Sequence, residues 1–256
     1  MKYFMFTLIS LFAGYVPTAL AVPVNLTGQY TISGGANVVD AVGNSFDDSF
    51  SDSNTSPPLL NTTAVLSPTG SAASAYAAAD SNTLLVITDA SSTDEFATAV
   101  AAATFAGDFI GTGQAMALRL NITNDALLSG VDSLLQALLN ITLVGAGNLL
   151  FNETFALGAT DSGEQSWVGN FYLPTGAAGL LDISLSSQSG SFSGSASNAF
   201  SVTFDLTAVP EPVMALNLLL GLGLITLMRR KRAFGHAKKR AFAASNVGSA
   251  PYMKLL

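Results

Sequence analysis

The sequence predicts an all-β protein, built around a single antiparallel β-sandwich with jelly-roll-like connections between residues 22 and 208. Three observations lead to this fold class. Apolar and polar residues alternate with a period of two in many short segments. Short glycine-containing motifs, one of them with proline, mark turns between these segments. The remaining length of about 187 residues, rich in Ser, Thr, Gly and Ala, suits one sizeable β domain.

The alternation is clearest near the end of this region, where Phe200, Val202, Phe204 and Leu206 point to one side. Small polar residues occupy the positions between them. Strands with one apolar and one polar side are typical of antiparallel sheets that have a single wet face. The same pattern recurs at Met116–Ile122 and Leu181–Leu185, in the set Trp167, Phe171 and Leu173, and in the set Phe151, Phe155 and Leu157.

Three short motifs predict turns between strands: Ser33-Gly34-Gly35, Gly145-Ala146-Gly147 and Pro174-Thr175-Gly176. The polar stretch from Asn44 to Thr69 is rich in Asp, Ser, Asn and Pro, and predicts a long exposed loop. The Ser and Ala stretch from Ser71 to Ala79 is compatible with a strand or a loop.

One segment departs from the alternating pattern and predicts a short helix over one end of the sandwich. Its apolar residues recur at helical spacing, and Asn124 or Asp125 is a suitable N-cap. The apolar positions are Leu127, Leu128, Val131, Leu134, Leu135, Leu138 and Leu139.

The charge of the chain is divided sharply between two regions. Residues 22–209 contain 16 carboxylates and one cation, Arg119, which gives a side-chain charge of −15, whereas the eight Lys and Arg after position 228 give +8. A segment this acidic repels nucleic acid and anionic lipid headgroups, so neither is predicted as its partner. We expect Arg119 to form an ion pair with an Asp on a neighbouring strand.

The region between residues 22 and 209 contains no His, Cys or Lys. This excludes Ser-His-Asp and Cys-His arrangements, Ser-Lys pairs and a Schiff-base lysine within it. It also removes the usual nitrogen and sulfur ligands of zinc, copper and haem. We therefore predict no catalytic residue and no cofactor. A hydrolase that uses a pair of carboxylates is the remaining enzymatic alternative, with Glu95, Glu153 and Glu164 as the only glutamates available beside 13 Asp.

Calcium is the one metal that this composition suits, because it takes oxygen ligands. The densest acidic stretch, Asp47-Asp48-Ser49-Phe50-Ser51-Asp52, does not match a D-x-D-x-D-G loop and lacks the glutamate that closes one. The favoured interpretation is a solvated polar segment, and no metal site is predicted.

The first 21 residues have the pattern of a secretory signal peptide. Lys2 supplies the positive charge, residues 3–13 form a short apolar stretch, and Ala19 and Ala21 occupy the A-x-A positions of a cleavage site. The pattern predicts export through the Sec machinery and a mature chain that begins at Val22.

The C-terminal part of the chain has three components in a fixed order. Pro210, Glu211 and Pro212 precede an apolar run at residues 213–228, and a basic cluster of Arg229, Arg230, Lys231 and Arg232 follows it. Sixteen helical residues span roughly 24 Å, which is shorter than the roughly 30 Å hydrocarbon core. We still predict a transmembrane helix, because the basic side chains can reach the membrane surface and thinning of the bilayer can cover the rest. The positive-inside rule places the acidic segment outside the cytoplasm and the basic tail, residues 233–256, inside it.

Residues 209–232 resemble the PEP-CTERM sorting domain of exported bacterial proteins. The resemblance rests on Pro210, Glu211 and Pro212, on the helix, and on the basic cluster. It implies recognition by an exosortase, a membrane-embedded Cys peptidase, and a link to exopolysaccharide production and biofilm assembly. The 24-residue tail after Arg232 departs from the family, whose members usually end soon after the basic cluster.

Together these features predict an exported, membrane-anchored and exosortase-processed protein of the cell surface or extracellular matrix. We expect it to be non-catalytic and to bind, pack or coat within exopolysaccharide. The alternative is a carbohydrate- or calcium-binding adhesin, because β-sandwiches often bind ligands on a sheet face or at their loop ends.

Overall fold

The computed structural model describes residues 21–130 and 132–209, which form eleven β-strands. No helix occurs within these residues, and so none there is long and apolar enough to cross a membrane. The strands are β1 Val22–Pro23, β2 Thr27–Val39, β3 Ser45–Asn54, β4 Leu59–Leu66, β5 Ala72–Asp80, β6 Thr83–Ile110, β7 Ala115–Ser129, β8 Ser133–Gly145, β9 Asn148–Leu157, β10 Gly163–Tyr172 and β11 Ala178–Val209.

Two long strands organise the whole fold. β6 has 28 residues, β11 has 32, and the two pair antiparallel along most of their length. The first half of β6 and the second half of β11 form the centre of one layer, sheet I, with the order β4-β5-β6-β11-β7-β10. The second half of β6 and the first half of β11 form the centre of a second layer, sheet II, with the order β3-β2-β6-β11-β8-β9.

Both long strands bend where they pass from one layer to the other. The β6–β11 register shifts between Ser191 and Ser193, and Asp94 and Gly194 have positive φ angles of 62° and 136°. A Cβ atom on Gly194 would lie 2.1 Å from the carbonyl oxygen of Ser129, so the close approach of β7 requires glycine there. The irregularity is a β-bulge, which bends a strand and increases its twist.

Contacts between side chains show that the two layers face each other as a β-sandwich, which confirms the predicted all-β antiparallel sandwich. The rings of Phe105 in sheet II and Phe204 in sheet I lie 5.0 Å apart. The hydroxyls of Thr88 in sheet I and Ser189 in sheet II lie 2.7 Å apart.

The core lies between the layers and changes in composition along the strands. Large residues such as Phe105, Phe109 and Phe204 are fully buried away from the bend. Small residues fill the interior beside the bend, because the strands that cross over there bring the layers together. These small residues are Ala36, Ala73, Ala90, Ala97 and Ala99.

The predicted helix around residues 124–139 is wrong, because this segment forms the end of β7, a turn and the start of β8. Leu135 and Leu139 are buried, whereas Leu127 and Leu134 are exposed. Leucines three and four residues apart also fit two strands with period-two burial joined by a turn. Gly130, with a φ of 93°, lies in that turn.

The predicted loop from Asn44 to Thr69 is also wrong, since it contains β3 and β4. Phe46 and Phe50 pack inward from β3, but the Asp and Ser residues between them hide the alternation. Residues 71–79, for which both possibilities were open, belong largely to β5.

Two of the three predicted turns are confirmed, at Gly145–Gly147 and at Pro174–Gly176. The third is wrong, because Ser33, Gly34 and Gly35 lie inside β2. A Cβ atom on Gly34 would lie 2.5 Å from the ring of Phe50, so this glycine makes room for an aromatic side chain rather than for a turn.

Candidate functional site

The outer face of sheet II carries a groove of about 430 Å³ that crosses β3, β2, β6, β11 and β8. Neighbouring strands lie about 4.8 Å apart, so the groove extends about 19 Å across the five strands. Its floor consists of the small residues Ser33, Gly35, Ala102 and Ser186.

The period-two geometry of the strands explains why these residues share one face. Ala101 and Ala103 point into the core, so Val100 and Ala102 point outward from β6. The strand register then aligns the outward residues in rows across the sheet. One row contains Ser33, Ala102, Ser186 and Leu138, and the next contains Gly35, Val100, Gln188 and Gln136.

The groove combines apolar walls with neutral hydrogen-bonding groups. Val100 and Leu138 supply the apolar surface, while the exposed amides of Gln136 and Gln188 lie side by side on β8 and β11. Each amide offers both donors and acceptors. Because Gly35 has no side chain, a ligand can approach the backbone of β2 closely.

A second polar row borders the groove on the same face. Thr31, Thr104, Ser184, Asn140 and Thr154 are successive partners across five strands. The Thr154 hydroxyl donates a hydrogen bond of 2.8 Å to the Oδ1 atom of Asn140. The face therefore presents an ordered array of hydroxyl and amide groups beside the groove.

The residues that line the groove are all uncharged. Asp47, Asp108 and Asp182 lie elsewhere on the outer face of sheet II, and desolvation raises the pKa of the Asp182 carboxyl. Arg119, the single cation of residues 22–209, lies on the outer face of sheet I opposite Asp205. The register places an exposed Asp across from Arg119, and the ion pair itself stays a prediction; pairs at exposed positions contribute little to stability.

This arrangement suits binding rather than proton transfer. Its donors and acceptors are hydroxyl, amide and backbone groups, which form hydrogen bonds without titrating near neutral pH. General acid–base catalysis needs a positioned group that exchanges a proton near the working pH, and the lining residues offer none.

The three glutamates considered for hydrolysis are on separate elements and outside the groove. Glu95 lies in the bend of β6, with Glu153 in β9 and Glu164 in β10. Glu95 is buried (3% exposed), and its carboxylate accepts a 2.7 Å hydrogen bond from the Ser67 hydroxyl and a short one from Thr69. The Ser67 hydroxyl, followed by those of Ser71 and Thr69, lowers the pKa of Glu95 below its usual range.

The acidic stretch that was considered for calcium binding forms part of β3. Because successive side chains of a strand point to opposite faces, its neighbouring carboxylates are separated. Asp47 lies on the outer face, whereas Asp48 points the other way and accepts a 2.5 Å hydrogen bond from the Thr63 hydroxyl of β4. Across residues 21–130 and 132–209, no group of three or more His, Cys, Asp or Glu is arranged to hold a metal ion.

The aromatic residues expected in the core form a cluster between the edge strands β9 and β10. Trp167 lies 5.3 Å from Phe151 and 6.4 Å from Phe155, with each pair of rings edge to face. Trp167 and Phe171 pack against the core, while Tyr172 is 57% exposed. The rings of Trp167, Phe151 and Phe155 therefore close one side of the sandwich and do not line the groove.

Most of the sequence-predicted sorting residues lie outside the described part of the chain. They are Ala19, Pro210, Glu211, Pro212, Arg229, Arg230, Lys231 and Arg232, together with the predicted helix at 213–228. Ala21 is described, and it is exposed directly before β1. The predicted cleavage site after Ala21 therefore lies directly before β1.

Sequence reasoning missed the groove. Gly, Ala, Ser and Gln form no motif, and their alignment depends on the register of five strands that are far apart in the chain. The alternation of Ser184, Ser186 and Gln188 with buried residues was the available signal, but it identifies an outward face and not a concave one.

No protein-family model matches this chain. No curated protein matches it either.

Several solved structures show a partial likeness. An arabinose-bound α-L-arabinofuranosidase is 12% identical with a TM-score of 0.24, over 57% of this chain and 23% of the enzyme's chain. A family 61 carbohydrate-binding module in complex with β-1,4-galactotriose is 11% identical with a TM-score of 0.26, over 60% of this chain and 89% of the module. The C-terminal family 22 carbohydrate-binding module of Clostridium thermocellum Xyn10B is 11% identical with a TM-score of 0.21, over 58% and 86% respectively.

Proposed function

We propose that this chain is an exported, non-catalytic surface protein that binds extracellular polysaccharide. The observation that carries the binding role is the uncharged groove on sheet II, with its paired amides and bordering hydroxyl row. Polysaccharides present many hydroxyl groups, and a neutral array of donors and acceptors is suited to them.

The delivery of the protein is the second part of the proposal. The signal-peptide pattern at residues 1–21 supports export by the Sec machinery. The sequence from Pro210 to Arg232 supports membrane anchoring followed by processing by an exosortase. The cell surface or the biofilm matrix is then the place of action, with the acidic segment outside the cytoplasm.

Intact-mass measurement of the protein recovered from the producing cells tests the delivery. We expect a mature chain that begins at Val22 and ends near Pro210–Pro212, and its C-terminus should depend on the exosortase gene. Glu211→Ala should block this trimming, whereas the matched change Glu153→Ala should not affect it. Recovery of a surface protein that retains Leu256 would refute exosortase processing.

A further inference from the structure

We infer that the groove of sheet II selects neutral, linear polysaccharides and rejects acidic ones. This inference rests on the proposed polysaccharide-binding function and names the class of polymer. Three observations support it. The groove is uncharged and its nearest charged neighbours are carboxylates, the space above Gly35 is open, and the groove runs across the strands.

The electrostatics exclude an acidic polymer. The groove lining carries no cation that would pair with a uronate or sulfate group. On the outer face, the charged groups nearest to it along β3 and β11 are carboxylates, with Asp47 two residues before the groove residue Ser49 and Asp182 four residues before Ser186. An anionic chain would lose hydration beside these carboxylates without gaining an ion pair.

The shape of the groove favours a single extended chain. Its lining spans five neighbouring strands, and its floor on β2, β6 and β11 is built from residues no larger than serine. Val100 and Leu138 offer apolar contacts suited to the C–H surface of a sugar ring. Gln136 and Gln188 lie close enough to engage neighbouring hydroxyl groups of one chain. We therefore place the polymer across the strands.

Gly35 allows a direct test of this placement. A Cβ atom there would lie 3.7 Å from both the carbonyl oxygen of Asp48 and the Val100 side chain, which is ordinary van der Waals contact. Gly35→Leu therefore fits the fold and fills the groove. Ala106→Leu is the matched control, because Ala106 is exposed on the same face of β6 but does not line the groove.

The experiment is affinity electrophoresis of the full-length chain in detergent micelles, in gels that contain one soluble polysaccharide each. The neutral probes are hydroxyethyl cellulose, mixed-linkage β-glucan and pullulan, and the acidic probes are polygalacturonate and alginate. We expect retardation by at least one neutral probe and by neither acidic probe. Gly35→Leu should weaken binding at least about tenfold, equivalent to about 1.4 kcal/mol, while Ala106→Leu should leave it unchanged.

A second variant keeps the test decisive if Gly35→Leu fails to fold. The double change Gln136→Ala with Gln188→Ala removes both exposed amides without adding bulk and should also weaken retardation. Equal binding of acidic probes would overturn the neutral class, and binding that survives both groove variants would overturn the location. If no neutral probe retarded the protein, this inference would be overturned. Export and processing are tested separately by the intact-mass measurement.

Discussion

Glu95 is buried, although it follows a polar stretch of the sequence in which an exposed glutamate is expected. It lies at the bend, where its carboxylate accepts hydrogen bonds from hydroxyls of the β4–β5 turn. The Ser92 hydroxyl also accepts a 3.0 Å hydrogen bond from the backbone N–H of Glu95. These contacts tie the β4–β5 turn to the bend of β6.

The lowered pKa of Glu95 predicts a pH-dependent contribution to stability. A carboxyl whose folded pKa is below its unfolded value stabilises the protein above the unfolded pKa, about 4.3, and loses that contribution as pH falls through the folded pKa. We expect Glu95→Gln to lower the thermal midpoint at pH 7 and to have less effect at pH 3. Thermal unfolding followed at both pH values measures this.

Glu153→Gln is the control for this prediction, because Glu153 is exposed on β9. Its midpoint should differ little from that of the parent at either pH. An effect of Glu95→Gln that is equally large at pH 3 and pH 7 would show that its charge does not stabilise the bend.

The edge strand β3 combines apolar and acidic residues on one side. Phe46 and Phe50 point toward sheet I, and Asp48 and Asp52 share that side of the strand. Inward-pointing charges on an edge strand discourage pairing with another chain, because such pairing would bury them. The sequence of β3 therefore protects an unpaired edge of sheet II.

This role predicts that Asp52→Val promotes association between chains. We expect the variant to lose monomer faster than the parent on warming, as measured by size-exclusion chromatography with light scattering. Ser53→Val is the matched control, because it adds the same side chain on the opposite face of the strand. If both variants lose monomer at the same rate, the inward carboxylate does not protect the edge.

The elements also show which parts of the fold the sequence could predict. Strands with a buried apolar side, such as the segment from Phe200 to Leu206, were predicted correctly because burial imposes a period of two. β3 was missed because most of its residues are polar and exposed. β4 was missed because its burial does not follow its apolar residues: Thr63 is buried, whereas Leu60 and Leu66 are exposed. The helix was predicted wrongly because leucine spacing does not separate two strands with a tight turn from one helix.

The groove, too, could not be predicted from local sequence patterns. An outward face is predictable from alternation alone, but concavity and lateral rows depend on register, and register depends on pairing between distant segments. Gly35 illustrates this, because the sequence Ser33-Gly34-Gly35 predicts a turn when read locally. Within the sheet, Gly34 makes room for Phe50, and Gly35 opens the groove.

The two layers of the sandwich are not independent of each other. β6 and β11 are central strands of both sheets, so neither layer can lose its centre without disrupting the other. We expect a single unfolding transition, with far-UV circular dichroism and Trp167 fluorescence changing together. Trp167 is a suitable probe because it belongs to sheet I and contacts Phe151 of sheet II.

A core substitution tests this coupling. Phe105 is 1% exposed and contacts Phe204 in the opposite layer, so Phe105→Ala should cost about 3–5 kcal/mol and shift both signals equally. Phe192→Ala is the control, since Phe192 is 47% exposed and its loss should change stability by less than about 0.5 kcal/mol. A fluorescence transition that precedes the loss of circular dichroism would contradict shared unfolding.

The continuity of β11 also has a mechanical consequence. This one strand lines the groove at Ser186 and Gln188 and runs on without interruption to Val209, immediately before Pro210. Tension between a polymer held in the groove and the segment after Val209 would pass along a single covalent strand. Neighbouring strands flank β11 on both sides along much of its length, so such a load would be shared in shear by many backbone hydrogen bonds.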